Sequence, residues 1–116
     1  MAERNVILDK SFEFALEIIE YSELLEAQRK YVISNQLLKS GTSIGANINE
    51  AQSCESRADF IHKLKISAKE AQETSYWLKL CNKSTTYPSN FILSRLFHKA
   101  MNVSCVRSFI TSLSGI

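Results

Sequence analysis

Three glycines and a single proline in 116 residues leave this chain little turn material. That scarcity argues against a fold of many short strands and favours a few long helices. No stretch approaches the roughly 20 consecutive apolar residues of a membrane span. Nothing after Met1-Ala2-Glu3-Arg4-Asn5 reads as a secretory leader, because the first apolar run is only Val6-Ile7-Leu8. A cytoplasmic location with no membrane role is therefore expected. The cysteines Cys54, Cys81 and Cys105 are odd in number and share no close spacing, which suits neither a disulfide framework nor a zinc site. In a reducing compartment they are small residues of the core or its edge. The sequons at Asn82 and Asn102 carry no glycan on that reading.

The patterns of catalysis are also missing. A di-iron bundle needs Glu-x-x-His on two helices. The nearest matches are Asp59-Phe60-Ile61-His62 and a His98 that follows Arg95 by three residues. Ser40-Gly41-Thr42-Ser43-Ile44-Gly45 lacks the Lys-Ser/Thr ending of a phosphate-binding loop. Glu70 and Glu73 stand one helical turn apart, as paired carboxylates do in acid–base work. Without a partner histidine or a cleft they read as structural acceptors for Ser, Asn or Trp groups of adjacent helices. The expectation is a protein that is not an enzyme and has no metal site and no cofactor.

What is present is a globular composition, 45% hydrophobic and 22% charged, of single-domain length over residues 1–116. Helical periodicity predicts four helices. The first begins near Asp9 or Ser11, either of which can cap it, and ends near Glu26. Its apolar residues form two lines, Phe12, Ala15 and Ile19, then Phe14, Ile18, Tyr21 and Leu25. One bundle core needs a narrower stripe, so the extra line predicts a contact beyond the protomer. The second helix runs from about Arg29 to Ser53. The third is capped by Ser56, with Asp59 three residues on, and runs to about Lys83. Its core line is Phe60, Leu64, Ala71, Ser75 and Leu78. After the loop Ser84–Asn90 a fourth helix runs to about Leu113, with Leu96, Ala100, Val103 and Ile110 in line. Four helices with short connections predict an all-α, up-down-up-down four-helix bundle.

The second helix carries the most distinctive stretch. Ile33, Leu37, Ile44, Ile48 and Ala51 form its core stripe at about 100° per residue. Gln36, Ser43, Asn47 and Glu50 lie on one shoulder of that stripe, where polar groups are expected to be half-buried and partnered. Gly41 and Gly45 each cost about 1 kcal/mol against alanine, which close helix packing would offset. The order Gln36-Leu37, Ser43, Asn47-Ile48, Glu50 resembles the bacterial four-helix-bundle family of 23S rRNA intervening-sequence proteins. Where that family usually has Gly after the Glu, this chain has Ala51. The run from Phe60 to Leu78, including Glu70, Glu73 and Trp77, is similar to the next helix of one branch of the family. Relatives of that family include the accessory proteins of diversity-generating retroelements. The resemblance implies a homo-oligomer, a ring-like pentamer, and the family-motif residues are then candidates for its interfaces. Trp77, Ile66 and Tyr21 are expected near subunit contacts.

Charge supplies the functional candidate. The net charge of +2 hides an asymmetry: residues 1–26 hold seven acids and two bases, the rest twelve bases and five acids. An acidic first helix could pair with a basic surface of its own or a neighbouring subunit. On the third helix Lys65, Lys69, Tyr76, Lys79 and Lys83 share one arc that carries no acid. Lysines one turn apart can follow a phosphate backbone, and a tyrosine among them offers a face for a base. A non-catalytic protein associated with RNA is the expectation. The rival is a scaffold whose grooves serve a protein partner and touch no nucleic acid.

Overall fold

The computed structural model describes residues 2–88, with side chains from Val6 onward. They form α1 (Ala2–Ala27), α2 (Tyr31–Ala51) and α3 (Arg57–Lys83), and no strand occurs among the described residues. The all-α class is as expected. The fourth helix expected after the loop Ser84–Asn90 falls outside the described residues.

The first helix begins a full two turns before the expected start. Residues 2–8 contain no Gly or Pro, so nothing in them stops a helix. Ser11 is consequently not a cap: it is buried, and its Oγ donates to the Leu8 carbonyl at 3.0 Å. α1 ends in a Schellman turn, in which the Lys30 N–H reaches the Leu25 carbonyl and the Arg29 N–H that of Glu26. Arg29 takes the left-handed position of that motif, with φ 62°. The turn places Tyr31, not Arg29, at the start of α2.

α2 is the middle element, packed on α1 along one side and on α3 along the other. Its two glycines do not break it. A Cβ on Gly41 would lie 2.8 Å from two carbons of the Ile18 side chain, and one on Gly45 would lie 3.3 Å from Ser11 Oγ. Close approach to α1 is thus what Gly41 supplies. Ser34 Oγ donates to the Ser22 carbonyl at 2.9 Å further along the same seam. These pairs fix an antiparallel register in which Leu8 faces Asn49, Ala15 faces Thr42, Ile19 faces Leu38 and Glu26 faces Tyr31. Ala51 is buried and ends the helix. Gln52 follows in an ordinary right-handed conformation, its N–H bonded to the Asn49 carbonyl and the Ser53 N–H to that of Glu50, so the exit needs no glycine.

Ser56 caps α3 as expected, accepting from the Asp59 N–H at 3.1 Å. The face that α3 buries is rotated from the expected line: Leu64, Ser67, Ala71, Thr74, Leu78 and Cys81 are buried, while Phe60 and Ser75 are only half-buried. The hydroxyls explain the rotation. Ser67 Oγ donates to the Ile44 carbonyl at 2.9 Å and Thr74 Oγ1 to Ser40 Oγ at 2.8 Å. Both are buried polar groups satisfied across the seam.

Of the two apolar lines of α1, the core takes Phe14, Ile18, Tyr21 and Leu25, all fully buried. Phe12 and Ile19 of the other line are exposed. Tyr21 is therefore an interior residue of the protomer. Its hydroxyl donates to the Pro88 carbonyl at 2.8 Å, and burial, then the neighbouring Cys81, push its pKa up. Lys30 lies over the Tyr87 ring at 5.1 Å, a second contact tying residues 87–88 to the α1 end of the molecule. Cys81 is buried and Cys54 half-buried, both as free thiols; Cys105 lies outside the described residues. None of the described helices is long and apolar enough to cross a membrane.

Candidate functional site

Three surfaces follow from this packing: the seam between α2 and α3, the outer face of α3, and the groove between α1 and α2.

The α2–α3 seam collects the distinctive residues of the second helix. Ser40 with Thr74, Ile44 with Ser67 and Glu50 with Lys63 set its register. Continued along the helices, that register puts Gln36 opposite Trp77, Ser43 opposite Glu70 and Asn47 opposite Ile66. The spacing of seven, eleven and fourteen residues from Gln36 is thus the spacing of one helix edge facing a neighbour. The expected half-burial holds for Ser43 and Asn47 only; Gln36 and Glu50 are exposed. Asn47 Nδ2 donates to the Ser43 carbonyl at 2.8 Å within its own helix, and Ser43 Oγ to that of Lys39 at 2.7 Å. Glu50 pairs with Lys63 at 2.6 Å, and this hydrogen bond, then the Glu50 charge, raises the Lys63 pKa. The sequence reading missed Lys63; its signal was an opposite charge at the near end of the next helix. Solvent and salt screen an exposed pair of this kind, so it orients the helix ends more than it stabilises them.

Glu70 is half-buried on α3. Burial raises its pKa most, the charge and hydrogen bond of Glu73 add to this, and Lys39 and Lys69 oppose it. Its neighbours are thus carboxylate and lysines. The Trp77 indole does not serve it: the Trp77 Nε1 atom is buried and has no hydrogen-bond partner among the described residues. Trp77 meets Tyr76 edge to face, with ring centroids 5.3 Å apart.

The outer face of α3 points away from α2. Lys65, Lys69, Tyr76, Lys79 and Lys83 are all exposed, at azimuths roughly opposite the buried Ser67, Thr74 and Leu78. Of these lysines, Lys69 acts on Glu70 through its charge, so the basic arc borders a carboxylate on one side. They extend over about 27 Å of helix at 1.5 Å per residue, with the Tyr76 ring between the two lysine pairs.

On the far side of the molecule, α1 and α2 leave a groove of 440 Å³ lined by Leu8, Phe12, Ala15, Thr42, Gly45 and Asn49 among others. Its walls are mixed, with Asp9, Ser11, Thr42 and Asn49 beside the apolar groups, and Asp9 is the one charged residue lining it. No group of His, Cys, Asp or Glu among the described residues could hold a metal ion. Nothing in the three surfaces joins a nucleophile to a base.

Residues 3–104 match the model of a family described as 23S rRNA-intervening sequence protein. No curated protein matches the chain. A solved structure from Bacteroides thetaiotaomicron, described as a protein of unknown function from the S23 ribosomal protein family, is 44% identical. It superposes with a TM-score of 0.84, over 93% of this chain and 97% of that one.

Proposed function

We propose, on the premise that this chain belongs to the 23S rRNA-intervening sequence protein family, that it is a non-catalytic, oligomeric RNA-associated protein. The expectation that relatives of the family include the accessory proteins of diversity-generating retroelements belongs to this same reading. One observation carries it: Lys65, Lys69, Lys79 and Lys83 present an exposed, acid-free line around an exposed Tyr76. Such a line neutralises phosphates in succession, and the tyrosine stacks a base without reading sequence. One edge of α3 points outward and carries these residues together.

Assembly multiplies the effect. In a homo-oligomer, a pentamer on the family resemblance, the line repeats in each subunit and weak contacts sum. Self-association is supported by apolar surface on a single subunit, where Phe12 is 65% exposed and Leu16 52%. A mass of 13.2 kDa in light scattering at micromolar concentration would rule the oligomer out.

The test of RNA association is an anisotropy titration with a labelled single-stranded RNA. Four phosphate contacts, at a slope of about 0.7 each, weaken binding about 50-fold between 50 and 200 mM salt. Replacing Lys65, Lys69, Lys79 and Lys83 together by Glu abolishes it while helicity and assembly mass stay unchanged. Undiminished affinity in that variant would refute the assignment of this face.

A further inference from the structure

The basic arc of α3 has an acidic border on the side that meets α2. Glu73 is exposed, and Glu70, one turn before it, is half-buried. At about 100° per residue, Glu73 lies about 40° from Lys69 and about 60° from Tyr76 around the helix. Along the axis it falls in the stretch of about 15 Å between Lys69 and Lys79, which holds no lysine. A strand that follows the lysines and stacks on Tyr76 therefore passes beside these carboxylates.

The described element packed on this edge is α2. The seam register sets Ser43 level with Glu70, and Ser43 Oγ donates to the Lys39 carbonyl one turn back. Lys39 is exposed, and its charge reaches Glu70 across the seam, as that of Lys69 does within α3. Two bases, one from each helix, thus flank two acids. Glu70 and Glu73 share a side-chain hydrogen bond, which two carboxyl groups make only when one of them holds a proton. Burial of Glu70, then the Glu73 charge and that bond, favour the protonated form, and the two lysines oppose it. The next charged groups along the seam, Glu50 and Lys63, are two turns away and already pair with each other.

We propose that the Glu70–Glu73 pair is a proton-operated brake on the α3 face, an inference that rests on the RNA reading of that face. Ionised, the pair repels passing phosphates and draws Lys69 and Lys39 to itself. Protonated, it releases both bases to the strand, and Lys39 joins the α3 lysines as a further phosphate contact. RNA affinity therefore rises as pH falls through the titration of the pair. By reciprocity, binding draws a proton onto it.

The probe is a labelled oligouridine, whose bases take up no proton in mild acid, titrated into the full chain at about pH 7.5 and about pH 5. The paired variant Glu70→Gln and Glu73→Gln keeps the shapes and removes the charges. It is expected to bind about fivefold tighter than the parent at the higher pH and to approach it at the lower. His62, exposed on the same outer side of α3, also gains charge in acid, but it is present in both chains and cancels in their ratio. Glu20→Gln with Glu23→Gln on α1 removes the same charge elsewhere and should leave affinity within about twofold of the parent. A second measurement needs no variant: the side-chain carboxyl resonance of Glu70 should titrate at higher pH with oligouridine bound than without. Equal affinity of parent and Glu70/Glu73 variant near neutral pH, an equal gain from the α1 variant, or an unmoved Glu70 titration overturns the brake and leaves the RNA face standing. No binding by parent or variant at either pH overturns both.

Discussion

The two sides of α2 are joined to their neighbours by different physics. Toward α1 the helices meet by shape: Gly41 lies under Ile18, Gly45 beside Ser11, and a serine hydroxyl bonds a backbone carbonyl. Toward α3 they meet through buried hydroxyl hydrogen bonds, Thr74 to Ser40 Oγ and Ser67 to the Ile44 carbonyl, and an ion pair at the rim, Lys63 with Glu50. The difference decides what is left outside. Glycine packing draws α1 in against α2, so the residues beyond the contact, Phe12, Ile19 and Leu38, stand clear of it as an open furrow. The polar seam buries α3 along a rotated face and turns its lysines outward. One helix thus separates an acidic, apolar side from a basic one.

The steric side should break most sharply. Gly41→Ala gains about 1 kcal/mol of helix propensity, but forcing a methyl to 2.8 Å from Ile18 costs about 1–3 kcal/mol in displaced packing. A drop in melting temperature is expected for Gly41→Ala. At Gly45, where the nearest atoms would be 3.3 and 3.4 Å away, the same change should be close to neutral. Equal melting temperatures for the two variants would show that the glycines are not there for close approach.

On the polar side, Thr74→Val keeps the shape and removes a hydroxyl, leaving Ser40 Oγ buried without its partner. The expected loss is about 1–3 kcal/mol, read by urea denaturation. A paired Thr74→Val and Ser40→Ala variant should lose less than the sum of the two single changes, because both members of the bond go together. Additive losses would mean that the hydroxyls do not act as a pair.

The smallest effect is electrostatic. Burial and Glu73 hold the Glu70 pKa above the ordinary carboxylate value. A raised pKa favours the protonated form in the fold. Its contribution is present below the ordinary carboxylate range and is lost as pH rises through the folded value. Glu70→Gln should therefore melt like the parent in acid and slightly above it at neutral pH. A variant that is less stable than the parent at neutral pH would show that the charge is useful where it sits.

The sequence made much of this legible, and the gaps have physical causes. Periodicity located the core stripe of α2, the cap at Ser56 and the outward lysine arc, because each depends on local helical geometry. The start of α1 was misplaced because Ser11 has the chemistry of a cap but turns its hydroxyl back to its own helix, inside the seam. The buried face of α3 was misjudged because a count of apolar residues ranks Phe60 above Thr74. Only the neighbour's Ser40 makes burying Thr74 favourable. Likewise the motif at Gln36, Ser43, Asn47 and Glu50 was visible as a pattern. That it is one edge of a seam, with two of its members in water, depends on a register that no single helix encodes. The groove could not be seen at all, since it exists only where two helices are placed side by side.

The claim that the molecule has one nucleic-acid side is tested most directly by lysine acetylation mapped by mass spectrometry, with and without single-stranded RNA at low salt. The account predicts protection of Lys65, Lys69, Lys79 and Lys83, with Lys10 on α1 and Lys30 in the α1–α2 turn reacting as before. Protection centred on Lys10 and Lys30, or none at the four α3 lysines while RNA is bound, would contradict it.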